Sequence, residues 1–176
     1  FMTAARGGKY EVGLAQPTGE FETIDVTIPA GIRPGAKMRI RGKGEAAPAG
    51  MLGGDRGRGD LIITVEVDSH PYYRRGDGND VLMDVPVTIA EAVNGASVTL
   101  PTLKGRVTIK VPAGANTGQK LRIPGHGIVP KTGSTGDFFA VIQIQAPKNL
   151  SDEERAWFEQ LGQRLESPRQ GDPWTN

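Results

Sequence analysis

The stretch of sequence that decides the fold occurs twice. Residues 24–44 read IDVTIPAGIRPGAKMRIRGKG, and residues 107–127 read VTIKVPAGANTGQKLRIPGHG. The two copies lie at a constant offset of 83, and nine of the 21 aligned positions are identical. Unrelated sequences of ordinary composition would share about one or two. The chain is therefore an internal duplication, and both copies should have one architecture.

Each copy has the pattern of a strand, a connection and a second strand. Apolar and polar residues alternate in its first part, which is typical of a half-buried strand. The Pro-Ala-Gly that follows ends this strand, because proline donates no backbone hydrogen bond. Met38 and Ile40 in the first copy, and Leu121 and Ile123 in the second, predict the next strand. A single hairpin is marginal alone, so we expect each copy to belong to a larger β-unit.

Composition narrows the class of protein. The 176 residues include 25 glycines, 13 prolines and no cysteine, which favours many turns and excludes disulfides and thiolate metal sites. The net charge of +1, with both signs interspersed, gives no electrostatic footprint for nucleic acid. No apolar run has the length of a membrane span, and no signal peptide is visible. We expect a cytoplasmic protein with no cofactor, membrane or nucleic-acid partner.

Patterns outside the repeat complete the secondary-structure prediction. Alternation predicts strands at residues 9–14, 60–68, 81–85, 98–100 and 137–144. A short helix is expected at residues 1–6, and Thr88 and Glu91 form the capping-box pattern of its counterpart, at an offset of 87. Residues 16–19 predict a turn, and residues 45–59 predict a long mobile loop. Ser151 and Glu154 predict the capped start of a C-terminal helix.

The fold class is therefore all-β (mainly). We predict two tandem, similar β-sandwich or barrel-like domains with short helices and a C-terminal α-helix. The first β-domain spans residues 1–78 and the second spans residues 79–150. Residues 151–176 form the terminal helix and a polar tail.

Several motifs favour ordinary structural roles. Asp77-Gly78-Asn79-Asp80 lacks the spaced ligands of a calcium loop, and a turn explains it as well. His70 and His126 are the only histidines. No zinc spacing accompanies them, so we expect His70 to order the junction of the domains and His126 to lie in a solvent-facing turn. Arg74 and Arg75 have the pattern of a solvated surface. We expect no metal site, no catalytic residues and no enzyme activity.

Five motifs in the same order resemble the C-terminal substrate-binding region of DnaJ-type co-chaperones. They are the Pro-Ala-Gly to Gly-Lys-Gly stretch, Gly59-Asp60-Leu61, the segment from His70-Pro71 to Asn79-Asp80, Pro101-Thr102-Leu103 and Pro147-Lys148 with Leu150-Ser151. The chain contains no J-domain signature and no cysteine-rich zinc module, so it is similar to the zinc-free branch. The family's opening strand, which normally precedes the short helix, is not in this sequence.

The resemblance implies a shallow apolar groove on the first domain, where an unfolded client segment adds as an extra strand. It assigns client-peptide binding to Tyr10, Val12 and Ile63, with Leu61 added because it shares the face of Ile63. The alternative is that these are ordinary core residues, since alternating aliphatic residues are normally core; the resemblance favours the groove for Tyr10, Val12 and Ile63, and Leu61 is the weaker candidate. The second-copy counterpart of Ile63 is Ala140, which is too small to offer the same contact.

The resemblance also implies partners for the chain. It implies delivery of unfolded or extended clients to a DnaK-type ATPase chaperone, through a J-domain absent from this chain. An apolar stripe on the terminal helix would form a homodimer or pack within the chain; it consists of Trp157, Phe158, Leu161 and Leu165. The alternatives are a structural or assembly scaffold of tandem β-domains, and a small hydrolase or carbohydrate-active domain.

Overall fold

The computed structural model describes residues 1–15, 21–44 and 58–169, and these residues form a mainly β structure, as predicted. The predicted turn at residues 16–19 and most of the predicted loop at 45–59 lie outside the described residues, as does the tail from residue 170. In chain order the elements are α1 (Met2–Arg6), β1 (Gly8–Ala15), β2 (Phe21–Ile28), β3 (Lys37–Ile40), β4 (Leu61–Thr64), β5 (Tyr73–Arg75), β6 (Val81–Thr88), α2 (Ile89–Asn94), β7 (Ala96–Thr102), β8 (Gly105–Val111), β9 (Lys120–Ile123), β10 (Phe138–Gln145) and α3 (Asp152–Arg164).

The strands form one larger sheet and three hairpin-like pairs. β1 pairs with β2, β3 pairs with β4, and β7 pairs with β8, each in antiparallel register. The four-stranded sheet has the order β5-β6-β10-β9. Because β10 corresponds to β4 in the repeat and β9 corresponds to β3, the second copy differs from the described part of the first by the addition of β5 and β6.

The duplication is visible in hydrogen bonds as well as in sequence. In the first copy, Asp60 accepts from the N–H of Gly42 at 3.1 Å and lies 3.4 Å from Arg39. In the second copy, Asp137 accepts from the N–H of Gly125 at 2.7 Å and from Arg122 at 2.6 Å. Equivalent aspartates therefore hold the equivalent turn in each copy.

The helices and first strands of the two copies align at an offset of 88, so the predicted offset of 87 is wrong. Gly8 pairs with Ile28 as Ala96 pairs with Val111. The residues that end the two helices, Gly7 and Gly95, have φ of 73° and 80°, a conformation that glycine adopts without strain. Ala and Gly recur near both helices, so more than one offset aligns matching residues. The strand register shows which offset is correct.

The largest hydrophobic core lies in the second copy. Its largest fully buried side chains are Phe138, Ile128, Ile142 and Val81. Ala5 of α1 and Tyr73 of β5 belong to the same cluster. Arg6 donates to the carbonyl of Leu103 at 2.8 Å. The first helix therefore packs into the core of the second copy.

Two strand predictions need correction, and one strand was not predicted. The strand predicted at residues 60–68 ends at Thr64, because its partner β3 has only four residues, although alternate burial continues to Val67. β6 continues through Pro86 to Thr88, which is possible because β5 pairs only with Val81–Met83. β5 itself was not predicted, since three residues are too few to show a period.

Two polar residues predicted at the surface are half-buried. His126 shares a hydrogen bond of 3.0 Å with Oγ1 of Thr102, a buried residue, so its turn packs on the β7–β8 hairpin. Arg75 donates to backbone carbonyls of Gly31 and Ile32 at 2.8 and 2.9 Å. Both residues form hydrogen bonds to partners that are distant in sequence. Local sequence patterns cannot reveal such contacts.

By compactness, residues 1–144 form one unit and residues 145–176 form another. The division at residue 78 stays a prediction. In the second unit, Ser151 and Glu154 form the predicted capping box of α3. α3 ends at Arg164, and Leu165 is its C-cap residue rather than part of the helix.

Candidate functional site

A groove of about 340 Å³ lies between the β1–β2 and β3–β4 hairpins. Buried Val26 and Ile32 line it, together with half-buried apolar residues from each hairpin. Tyr10 is 57% exposed beside it, which is high for a large aromatic ring. The complete lining is Phe1, Thr3, Ala4, Tyr10, Val12, Val26, Ile28, Ile32, Met38 and the segment 63–68.

Three of the four residues predicted to bind clients line this one groove. Tyr10 and Val12 come from β1, and Ile63 comes from β4. Leu61 does not line the groove; it pairs with Ile40 at the other end of β4. None of the three is buried: Tyr10 is exposed, and Val12 and Ile63 are half-buried.

Sequence reasoning missed groove residues that pair with the predicted ones. Met38 lies opposite Ile63 in the β3–β4 register, and Val26 lies opposite Tyr10 in the β1–β2 register. Directly opposed residues share a face of the sheet. The register would therefore have identified Met38 and Val26 once the two hairpins were predicted.

Both strands that carry the predicted residues have a free edge within the described part of the chain. β1 pairs only with β2, and β4 pairs only with β3. In the second copy, the strands equivalent to β4 and β1 differ in how many partners they have. The counterpart of β4 is β10, which pairs with β6 as well as β9. The counterpart of β1 is β7, which pairs only with β8. Within the described residues, the edge of β1 and the equivalent edge of β7 are therefore both free.

Comparison with known proteins identifies the family. Residues 1–147 match the family described as the DnaJ C terminal domain. The chain belongs to this family. The DnaJ C-terminal domain match covers both copies of the repeat, in agreement with the motifs in the sequence.

Two relatives support this membership. The chain is 39% identical over 154 residues to the Chaperone protein DnaJ of Acholeplasma laidlawii, across 87% of this chain and 40% of the relative. It is also 39% identical over 168 residues to a DnaJ-like protein of Synechocystis, across 95% of this chain and 47% of the relative. The chain therefore spans less than half the length of these relatives.

The second copy of the DnaJ C-terminal domain has a core where the first has the groove. The counterparts of Val12 and Ile63 are Leu100 and Ala140, which are 2% and 0% exposed. Val85 and Val87 of β6 belong to the same core. Among the described residues, no strand of the first copy has the place that β6 has beside β10 in the second copy.

A second cavity, of about 270 Å³, adjoins the groove and shares Phe1, Ala4, Val67 and Asp68 with it. His70 lies at this cavity and accepts from the backbone N–H groups of Tyr72 and Tyr73 at 3.2 and 3.3 Å. Its ring lies 4.7 Å from that of Tyr73 and 5.8 Å from that of Phe1. His70 therefore orders the segment that leads into β5.

An ion-pair cluster ties β2 to the residues on either side of the 45–57 segment. Glu22 accepts from Lys43 at 2.7 Å and from Arg58 at 2.9 Å. These hydrogen bonds, first from Lys43 and then from Arg58, lower the pKa of Glu22 from 4.5 to about 2. In the second copy, the N–H of Gly125 and then Arg122 lower the pKa of Asp137.

The apolar residues of α3 and its C-cap are exposed within their own unit. Trp157 is 61% exposed, and Phe158, Leu161 and Leu165 are similarly accessible. None of the residues of α3 is buried. Within the described residues of its own unit, 145–169, nothing covers the apolar residues of this helix.

Metal and membrane features can be assessed for the described ranges. Within residues 1–15, 21–44 and 58–169, no cluster of three or more His, Asp or Glu side chains could hold a metal ion. Asp80 instead accepts from the N–H of Asp137 at 2.7 Å. None of the helices described has the length and apolarity needed to span a membrane. A cytoplasmic location stays a prediction.

Proposed function

We propose that the groove of the first copy binds extended segments of unfolded polypeptide, as the substrate-binding part of a chaperone without catalytic activity. The observation that carries this proposal is the placement of Tyr10, Val12 and Ile63 around one apolar groove beside a free strand edge. Membership of the DnaJ C-terminal domain family supports it.

The client would add to the free edge of β1. A strand added there makes main-chain hydrogen bonds that any sequence can form, and its alternate side chains reach the apolar groove. The free edge of β4 is the less suitable one, because its counterpart on β10 is occupied by β6. This arrangement selects for exposed hydrophobic residues rather than for one sequence.

Delivery of the client to a DnaK-type ATPase chaperone belongs to the same proposal. It rests on family membership and on a relative named Chaperone protein DnaJ. We also propose that the stripe of Trp157, Phe158, Leu161 and Leu165 pairs with a second copy of the chain. A two-fold dimer would cover these exposed residues and present two grooves to one long client.

The decisive test compares two neighbouring isoleucines of β4. Ile63→Ser removes apolar surface from the groove, whereas Ile62→Ser alters the opposite face, where Ile62 is 54% exposed and lies opposite Arg39. Loss of about 1–2 kcal/mol of apolar contact should weaken binding of a fluorescent apolar peptide about five- to thirtyfold. Ile62→Ser should bind as wild type does.

Suppression of aggregation of a denatured client separates this proposal from a scaffold role. The wild type should suppress aggregation, and Ile63→Ser should suppress it less. Equal suppression and equal peptide affinity for Ile63→Ser and wild type, with an intact fold by circular dichroism, would contradict the proposed function.

A further inference from the structure

The free edges of β1 and β7 differ in their backbone N–H donors at one position. At the offset of 88, Gly13 of β1 corresponds to Pro101 of β7. Gly13 lies opposite Thr23, and Pro101 lies opposite Arg106, which are themselves counterparts at the offset of 83. The two residues therefore have the same place in the same ladder.

The direction of the backbone at this position follows from the turn that closes β7 and β8. Thr102 and Gly105 flank a two-residue turn, so their N–H and C=O groups face each other as the closing pair. Backbone groups alternate along an antiparallel strand, so the nitrogen of Pro101 faces away from β8. This is the orientation that proline requires inside a strand.

The same alternation applies to β1. The N–H of Gly13 faces the free edge, as do those of Glu11 and Lys9 at two-residue steps. The side chains between them, Tyr10 and Val12, line the groove. In β7, Pro101 replaces one of three outward N–H groups with a ring. An incoming strand would lose a hydrogen bond there and meet the ring.

We propose that Gly13 and Pro101 restrict strand addition to the first copy. Gly13 keeps the edge of β1 open to an extended client, and Pro101 closes the equivalent edge of β7. The inference rests on the proposed function, and it names the main-chain contact that the client uses. It also gives the two copies different roles at an edge that is free in both.

The first experiment measures the affinity of a short fluorescent peptide with leucine at alternate positions. Gly13→Pro should raise Kd at least about tenfold, through loss of a hydrogen bond and the bulk of the ring. Gly13→Ala is the matched control and should stay within about twofold, because a methyl group there would meet no atom within 4 Å. Pro101 shows that the ladder admits proline at this position.

The second experiment uses the same peptide with a photo-crosslinking side chain. Wild type should crosslink at β1 and not at β7, whereas Pro101→Gly should crosslink at both. A peptide N-methylated at alternate residues should lose affinity for the unaltered chain, which tests the edge even if Gly13→Pro does not fold.

The outcomes separate this inference from the proposed function. If Ile63→Ser weakens binding but Gly13→Pro and the N-methylated peptide bind as before, the groove binds clients without strand addition and the inference is overturned. If Pro101→Gly produces no crosslink at β7, Pro101 does not close that edge and the inference is likewise overturned. If Ile63→Ser also has no effect, the proposed function fails as well.

Discussion

Arg75 should contribute far more to stability than its neighbour Arg74. Its guanidinium donates to the carbonyls of Gly31 and Ile32 at 2.8 and 2.9 Å, and to that of Gly78 at 3.4 Å. It thus joins the segment after β2 to the start of the second copy. Burial, and secondarily Arg33, lowers the pKa of Arg75, which indicates a partly desolvated cation.

The expected magnitude follows from these bonds. A hydrogen bond to a charged group contributes about 1.5–3 kcal/mol, and the two short ones dominate. Since Arg75 is half-buried, water will partly replace the lost partners. Arg75→Leu should therefore lower the free energy of unfolding by about 2–4 kcal/mol. Arg74→Leu removes only an exposed ion pair with Asp84, which is worth about 0–1 kcal/mol.

Urea denaturation followed by far-ultraviolet circular dichroism measures both variants, since this signal reports on the β-structure. Arg75→Lys, which keeps the charge but not the planar set of donors, should fall between wild type and Arg75→Leu. Equal unfolding free energies for Arg75→Leu and Arg74→Leu would refute the assignment of Arg75 as the link between the copies. Because Ile32 lines the groove, Arg75→Leu should also weaken peptide binding.

Three further predictions concern other parts of the chain. The pKa of Glu22 in the folded chain is about 2 rather than 4.5. The stability that it contributes is fully present above pH 4.5, decreases below that pH and is lost as the pH falls through 2, so Glu22→Gln should lower the thermal midpoint at pH 6, less at pH 3 and least below pH 2. Phe138→Ala empties a fully buried position and should lower the free energy of unfolding in urea by about 3–5 kcal/mol. Trp157→Ser with Leu161→Ser should convert a dimer to monomers in sedimentation velocity, and an unchanged sedimentation coefficient would exclude α3 as the dimer contact.

The fold was predictable wherever a local pattern repeats. Period-two alternation predicted β2 and β8, and the capping boxes predicted the starts of α2 and α3. The constant offset of 83 correctly aligned Gly42 with Gly125, whose N–H groups donate to Asp60 and Asp137. These features depend on residues close in sequence, or on a comparison that the duplication itself provides.

The errors arose where distant contacts decide the structure. Arg75 and His126 seemed exposed because their partners lie far away in the sequence. The prediction of the groove depended on the family resemblance, because Tyr10, Val12 and Ile63 have the same alternating pattern as core residues. What distinguishes them is how little packs over them, and this depends on the arrangement of the two hairpins.

Among the described residues, the same repeated stretch has different neighbours in the two copies. In the second, β6 lies beside β10 and contributes Val85 and Val87 to the core that buries Leu100 and Ala140. In the first, the described residues leave Val12 and Ile63 at an open groove. A groove and a core need similar apolar side chains, so hydrophobic pattern alone cannot separate them. The backbone donors at a strand edge can separate the two cases. A strand that must accept a client keeps its outward N–H groups, whereas a proline protects a strand without a client from unwanted pairing. If clients bind by the proposed strand addition, the difference between Gly13 and Pro101 is the sequence feature that separates the two copies.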